Sequence, residues 1–322
     1  MSLVFLIPAV ILSAVLLIYA GGCLWGFRYA CGRMQDPDWD DPQSLASSPF
    51  KDHPISIPGA SQWLRDHHAE DVETVSHDGV KLTGKWVRAA NPIGTVILFH
   101  GYHSHYLSDF GGIFQRYHDW GLNLLMVRQR AHGDSEGKYI TFGVNERLDA
   151  LRWVEFHNRV HGMDNVYLSG LSMGSSTVMF AAGEQLPPNV RGITADCGFT
   201  SPREILVKVA NGMGLPGSLM VPGVCLWARL LAGANLLECN SRQTLARAKV
   251  PVLFIHGTAD DFVPCWMGQE SYDACASEKS IYLVEGAGHG MAYLCDKERI
   301  RAALNGFFFG HLSPEYQLEE TQ

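Results

Sequence analysis

The sequence predicts an α/β fold, a mainly parallel central sheet between two layers of helices, and three observations carry that prediction. Apolar runs with little polar alternation recur at residues 95–99, 122–127, 166–168, 192–195, 252–255 and 281–284, the pattern of strands buried on both faces. The segments between them are long enough for helices, so strand, helix, strand order with right-handed crossovers is expected. Glycine-bearing turns close four of the runs, at residues 100–102, 170–174, 256–257 and 286–290. In such sheets, functional groups gather at the carboxyl ends of the strands.

The chain opens on a different message. No Asp, Glu, Lys or Arg occurs before Arg28, and residues 3–20 are almost wholly apolar, long enough to span a bilayer. A cleavable secretory signal normally begins with a basic segment, which this one lacks, so an uncleaved anchor is expected over residues 1–27. Pro8 is tolerable in a membrane helix. Arg28 and Arg33 follow the span, and the positive-inside rule then puts the remainder of the chain in the cytoplasm.

Residues 28–69 read as a juxtamembrane tether, because the stretch 35–58 is rich in Pro, Asp and Ser. The folded domain is expected over residues 70–312, with a tail at 313–322. It begins with an antiparallel hairpin, residues 72–75 and 81–87 joined through His77-Asp78-Gly79. Between residues 200 and 249 the strand pattern lapses, while apolar residues such as Leu206, Met213, Leu215 and Val224 accumulate. Those apolar residues either pack on the domain or cover a pocket.

The most informative turn is Gly170-Leu171-Ser172-Met173-Gly174, which ends a strand-like run and opens a helix-like one. A serine on a tight strand-to-helix turn is held in strained backbone geometry, and only residues without bulk flank it closely. This context makes Ser172 a nucleophile candidate. The backbone N–H of Met173, at the positive end of the helix, is placed to receive a developing oxyanion. His100-Gly101-Tyr102 follows the first parallel strand, and Gly101 lets the chain turn so that the Tyr102 N–H joins it. A serine needs an imidazole base, and the base needs a carboxylate to fix its tautomer. His289, in the loop Gly286-Ala287-Gly288-His289-Gly290, supplies the first. Asp260 or Asp261, beyond the strand at 252–255, supplies the second.

Composition excludes other classes. With 47% hydrophobic and 18% charged residues over 322, the chain suits one large globular domain and not a disordered one. A formal charge of −8 without any basic stripe excludes a nucleic-acid partner. The eight cysteines form no Cys-x-x-Cys pair and read as buried thiols in a reducing compartment; Cys197 lacks the glycine turn that surrounds Ser172. His67, His68, His103 and His105 show no metal-ligand spacing, and no phosphate-binding glycine loop follows the first strand, so no metal and no cofactor are expected.

Taken together these motifs resemble those of serine α/β-hydrolases, in particular membrane-anchored ones similar to the serine aminopeptidase and monoacylglycerol lipase group. The resemblance covers about residues 70–312. It rests on Gly-Leu-Ser-Met-Gly, the His-Gly turn, the loop Arg130-Ala131-His132-Gly133-Asp134-Ser135-Glu136-Gly137, a His-Gly-x-x-Asp-x-x-Val-Pro segment from His256 to Pro264, and the late Gly-His-Gly. The chain order of serine, acid and histidine matches that family. The resemblance selects Asp260 over Asp261 as the acid, with Asp196 a third choice because some hydrolases place the acid one strand earlier. One departure is Arg128-Gln129-Arg130, where relatives often carry an aspartate before the arginine; it touches none of the three residues. The resemblance implies a lid over about residues 200–249 and a serine hydrolase that cleaves a carboxylic ester of a small acyl or lipid-like molecule through Ser172, His289 and Asp260. A peptidase or amidase using the same three residues, or a membrane-tethered binding module without activity, are the alternatives.

Overall fold

The computed structural model of the chain describes residues 3–33, 36–39, 41, 43–44 and 55–312. Helix α1 (Leu3–Cys31) comes first, followed by α2 (Ile57–Asp66) and the hairpin β1 (Glu70–Val75) and β2 (Lys81–Val87). Next come β3 (Gly94–Phe99), the short helices α3 (Tyr106–Phe110) and α4 (Phe114–Asp119), β4 (Leu122–Arg128) and α5 (Glu146–Val160). Strand β5 (Val166–Leu171) leads into α6 (Met173–Ala181), then β6 (Val190–Asp196) and three consecutive helices, α7 (Pro202–Gly212), α8 (Gly217–Leu231) and α9 (Ser241–Leu245). The chain closes with β7 (Val252–Gly257), α10 (Cys265–Ala274), β8 (Lys279–Val284), α11 (Ala292–Cys295) and α12 (Lys297–Gly310).

One eight-stranded sheet runs through the domain in the order β1-β2-β4-β3-β5-β6-β7-β8. The pairs β1–β2 and β2–β4 are antiparallel, and all the others are parallel. The predicted fold class, hairpin and six parallel runs are all present. Register sets Ile97 opposite Leu125 on one side and Leu168 on the other. All of β3 and β4 is buried, because helices cover both faces. Leu98, Leu124 and Tyr167 pack with Phe308 of α12 on one face, while Ile97, Leu125 and Leu168 pack with Trp153 of α5 on the other. Alternate residues of one strand thus feed two separate cores, which is why the strands read as continuous apolar runs.

The stretch read as a tether is in part built into the fold. Ser56 caps α2 by accepting from the Gly59 N–H, Pro58 suits its first turn, and Ile57, Ala60 and Leu64 are buried in the core under α3 and α4. Ser56 and Pro58, of the residue types that suggested a linker, here serve as cap and helix-start residues. Residues 45–54 of that stretch, and the tail at 313–322, lie outside the described residues.

Helix α1 also runs further than residue 20. Its first part, from Ile7 to Tyr19, is exposed and apolar, and Ile7–Cys31 is long and apolar enough to cross a membrane. Its last part is packed on the domain, where Cys23, Phe27 and Cys31 are buried.

Candidate active site

Sterics build the turn around Ser172. A side chain at Gly170 would lie 2.2 Å from the Gly174 carbonyl oxygen, and one at Gly174 would lie 1.8 Å from that of Phe99. Both positions therefore require glycine. Between them Ser172 adopts φ 56° and ψ −115°, a left-sided conformation that a non-glycine residue holds only when its surroundings impose it. The Ser172 N–H donates to the Asp196 carbonyl at 2.9 Å, which ties the turn to β6.

The structure brings Ser172, His289 and Asp260 together from three strand ends. His289 Nε2 lies 2.8 Å from Ser172 Oγ, and His289 Nδ1 lies 2.7 Å from Asp260 Oδ2. Asp260 Oδ1 accepts the N–H groups of Phe262 at 3.0 Å and Val263 at 2.8 Å, so the loop closes on its own carboxylate. Burial alone would raise the Asp260 pKa. Hydrogen bonds from His256 and His289 and the Val263 N–H outweigh it and hold the carboxyl well below the usual carboxylate range. It is ionised at neutral pH, as a partner for a developing imidazolium must be.

Asp261 and Asp196 take other positions. Asp261 is exposed, and its backbone carbonyl accepts from Lys208 Nζ. Asp196 is half-buried, with a buried Oδ1 that has no hydrogen-bond partner among the described residues. Burial raises its pKa to about 6, with Asp260 adding to the rise and His256 and His289 opposing it.

Of the predicted oxyanion donors, Met173 follows Ser172 in the chain and Tyr102 lines the same cavity as the serine. The Tyr102 and Met173 N–H groups donate to no backbone carbonyl outside regular secondary structure among the described residues. Gly101 touches Ser172, since a side chain there would come within 3.3 Å of Ser172 Cβ. Its N–H is held at 2.6 Å by Asp109 Oδ2.

Several supports of this turn escaped sequence reasoning. His100 is buried; desolvation and the nearby Arg128 charge lower its pKa to about 3, so the ring is neutral. Its Nε2 accepts from the Gln129 N–H at 3.1 Å and its Nδ1 donates to the Gly101 carbonyl at 2.8 Å. His132 repeats the device, accepting from the His103 N–H at 3.2 Å. His256 lies 3.4 Å from Asp260 and 2.8 Å from the Val263 carbonyl. The signal was present in each case: a histidine directly after a strand, or within a glycine loop. His105 caps α3 and His67 stacks on Trp63. Among the described residues all eight cysteines are free and six are buried. Cys197 stands near Asp260 and His289, and burial and the two neighbouring carboxylates push its thiol well above its ordinary pKa.

Ser172 opens into a cavity of about 310 Å³ lined largely by apolar side chains, among them Phe142, Phe199, Leu206, Met213 and Val224. Residues of α7 and α8 form part of this lining. Leu219, Leu226, Leu230 and Leu231, counted in the same apolar set, instead point outward and are exposed. The lining also includes Trp25, Gly26, Tyr29 and Ala30 of α1, which the sequence assigns to the anchor or tether alone. A larger cleft of about 1280 Å³ lies elsewhere; it is lined by polar groups such as Asp36, Lys85 and Arg128 and includes none of Ser172, Asp260 or His289.

Comparison with known proteins agrees with this geometry. Residues 90–214 match the family model described as serine aminopeptidase S33. The fold superposes on an esterase of Pyrococcus furiosus, Pf2001, with a TM-score of 0.64 at 23% identity, covering 78% of this chain and 94% of that one. The chain thus has the α/β-hydrolase fold. It is also 25% identical to the YqkD protein of Bacillus subtilis over 71% of this chain and 75% of that protein. An acylaminoacyl peptidase of Pyrococcus horikoshii shares the fold with a TM-score of 0.56 at 16% identity, covering 76% of this chain and 41% of that one. The family match and these neighbours are esterase- and peptidase-like hydrolases.

Proposed function

We propose that this hydrolase cleaves a carboxylic ester of an apolar acyl group. His289 removes the Ser172 proton as the serine oxygen attacks the carbonyl carbon, and the N–H groups of Tyr102 and Met173 receive the resulting oxyanion. Asp260 keeps the His289 Nδ1 proton in place and balances the imidazolium. His289 then protonates the leaving alcohol, and it next activates the water that releases the acid from the acyl-enzyme. The observation that carries the reading is the bridge of His289 between Ser172 and Asp260, at 2.8 and 2.7 Å, at the end of an apolar cavity.

An ester suits that cavity better than a peptide. Capture of a free amino terminus would call for a carboxylate near the serine, and no Asp or Glu is among the residues lining the cavity. The match to a serine aminopeptidase family model keeps a peptidase or amidase as the second reading. Rates on short and long acyl esters, set beside rates on aminoacyl amides, separate the two. Faster turnover of long acyl esters is expected, and a preference for aminoacyl amides would overturn the ester reading. A folded chain that turns over neither would be a binding module.

The proposal includes the setting. Residues 1–27 act as a single membrane anchor, with Arg28 and Arg33 keeping the catalytic domain, residues 70–312, on the cytoplasmic side. Protease protection of the segment after Arg33 in sealed vesicles tests the orientation.

A further inference from the structure

We infer that α1 is a substrate-binding element as well as an anchor: its last turns form one wall of the acyl pocket, and the acyl chain enters from the bilayer between α1 and the helices α7 and α8. The inference rests on the ester reading above for the identity of the ligand, though not for the existence of the pocket.

The wall is held firmly. Tyr19 Oη donates to the Leu219 carbonyl at 2.8 Å, and Trp227 Nε1 donates to the Ala20 carbonyl at 3.0 Å. Tyr102, beside the serine, donates its hydroxyl to the Ala30 carbonyl at 3.0 Å. Arg33 then locks the end of the helix, donating to the Ser135 carbonyl at 2.7 Å and the Gly137 carbonyl at 3.1 Å. Helices α1 and α8 cross closely: a side chain at Gly223 would lie 2.4 Å from Cys23 Sγ. Small residues at a crossing are how apolar helices pack where no water drives them together.

Length places the mouth of the pocket. Ile7–Cys31 is the stretch long and apolar enough for a bilayer, and Arg28, the first charged residue within it, marks its headgroup end. Trp25 lies one turn, about 4–5 Å, before Arg28 and so belongs at the boundary of hydrocarbon and headgroups. Trp25 and Tyr29 are stacked at 5.4 Å and more than half exposed. They rim the cavity together with exposed Met213 and Phe262, and Lys208 Nζ sits 5.5 Å from the Phe262 ring centre. Trp, Tyr and Lys are the side chains that settle at a membrane surface. Leu219 is at the level of Tyr19, inside the hydrocarbon by the same placement, and Leu226 and Leu230 continue that exposed apolar face of α8. A lipid acyl chain thus has an apolar path from the bilayer to Ser172.

The test uses the full chain in phospholipid nanodiscs and reads the ratio of kcat/KM for a dodecanoyl ester over that for a butyryl ester. The double variant Trp25→Ala/Tyr29→Ala is expected to lower that ratio about tenfold, and Trp25→Phe/Tyr29→Phe to keep it. A chain in which residues 3–18 are shuffled, still apolar, is expected to keep the wild-type ratio, because the wall begins after them. An unchanged ratio in the alanine variant would overturn the inference and leave the ester reading intact. Photocrosslinking with a long fatty acid carrying a terminal diazirine reads the pocket without catalysis. Adducts within residues 25–30 support the wall even if no ester is hydrolysed, which would remove the ester reading alone. Adducts confined to other segments would overturn the wall.

Discussion

The turn that carries Ser172 and the wall that faces it are built by opposite means. Around the serine, local backbone contact decides everything: Gly170 and Gly174 are glycines because carbonyl oxygens lie 2.2 and 1.8 Å from where a side chain would be. The wall across the cavity joins α1 to α8, segments about two hundred residues apart such as Tyr19 and Leu219, and neither helix carries a local mark of the other. Chemistry is thus encoded in short motifs, while the shape that selects the substrate is encoded in distant apolar surfaces. Substitutions should respect that division.

The largest expected effect is on the chemistry. Asp260→Asn keeps the shape of the loop but removes the charge that steadies His289, and ester turnover is expected to fall about 10⁴-fold; a loss below tenfold would break the assignment. Next is the turn itself. Gly174→Ala forces a carbon against the Phe99 carbonyl, so denaturant unfolding should show a loss of about 4 kcal/mol or failure to fold.

A third prediction concerns Asp196, whose Oδ1 is buried. Its pKa is raised to about 6 in the folded protein from about 3.9 in the unfolded chain, so the folded state binds the extra proton between those values. Stability contributed there falls as pH rises from about 4 through 6, and Asp196→Asn should remove a decline on the order of 2–3 kcal/mol. Chemical denaturation at pH 4.5 and 7.5, wild type against variant, measures it; parallel pH profiles would contradict the burial argument. Asp260 works in the other direction. Its folded pKa is depressed, so its contribution is present above about pH 4 and is lost only as pH falls toward the folded value.

The smallest effect belongs to the outer face of α8. Leu230 is 63% exposed, and Leu230→Ser in detergent should change unfolding by less than about 0.5 kcal/mol. A larger loss would mean that this face packs against protein.

The same division explains what could be read from sequence. The six parallel strands were legible because burial on both faces leaves unbroken apolar runs, and the hairpin because β1 stays half-exposed. The site residues were legible as candidates because each follows a strand and sits among glycines. Helix α2 was not, since its cap and proline imitate a linker and its buried face is only Ile57, Ala60 and Leu64 among polar neighbours. His256 and His132 were missed because a histidine that holds a loop looks like one that does nothing. The part played by α1 was hidden most deeply, because a helix apolar enough for lipid gives no sign of which turns leave the lipid for the pocket.

The most direct test of the account is covalent labelling by a fluorophosphonate probe followed by mapping of the modified peptide. One adduct, on Ser172, is predicted, with labelling lost in Ser172→Ala while the variant remains folded. Labelling of Ser172→Ala at wild-type intensity, or an adduct on another residue of the wild type, would contradict it.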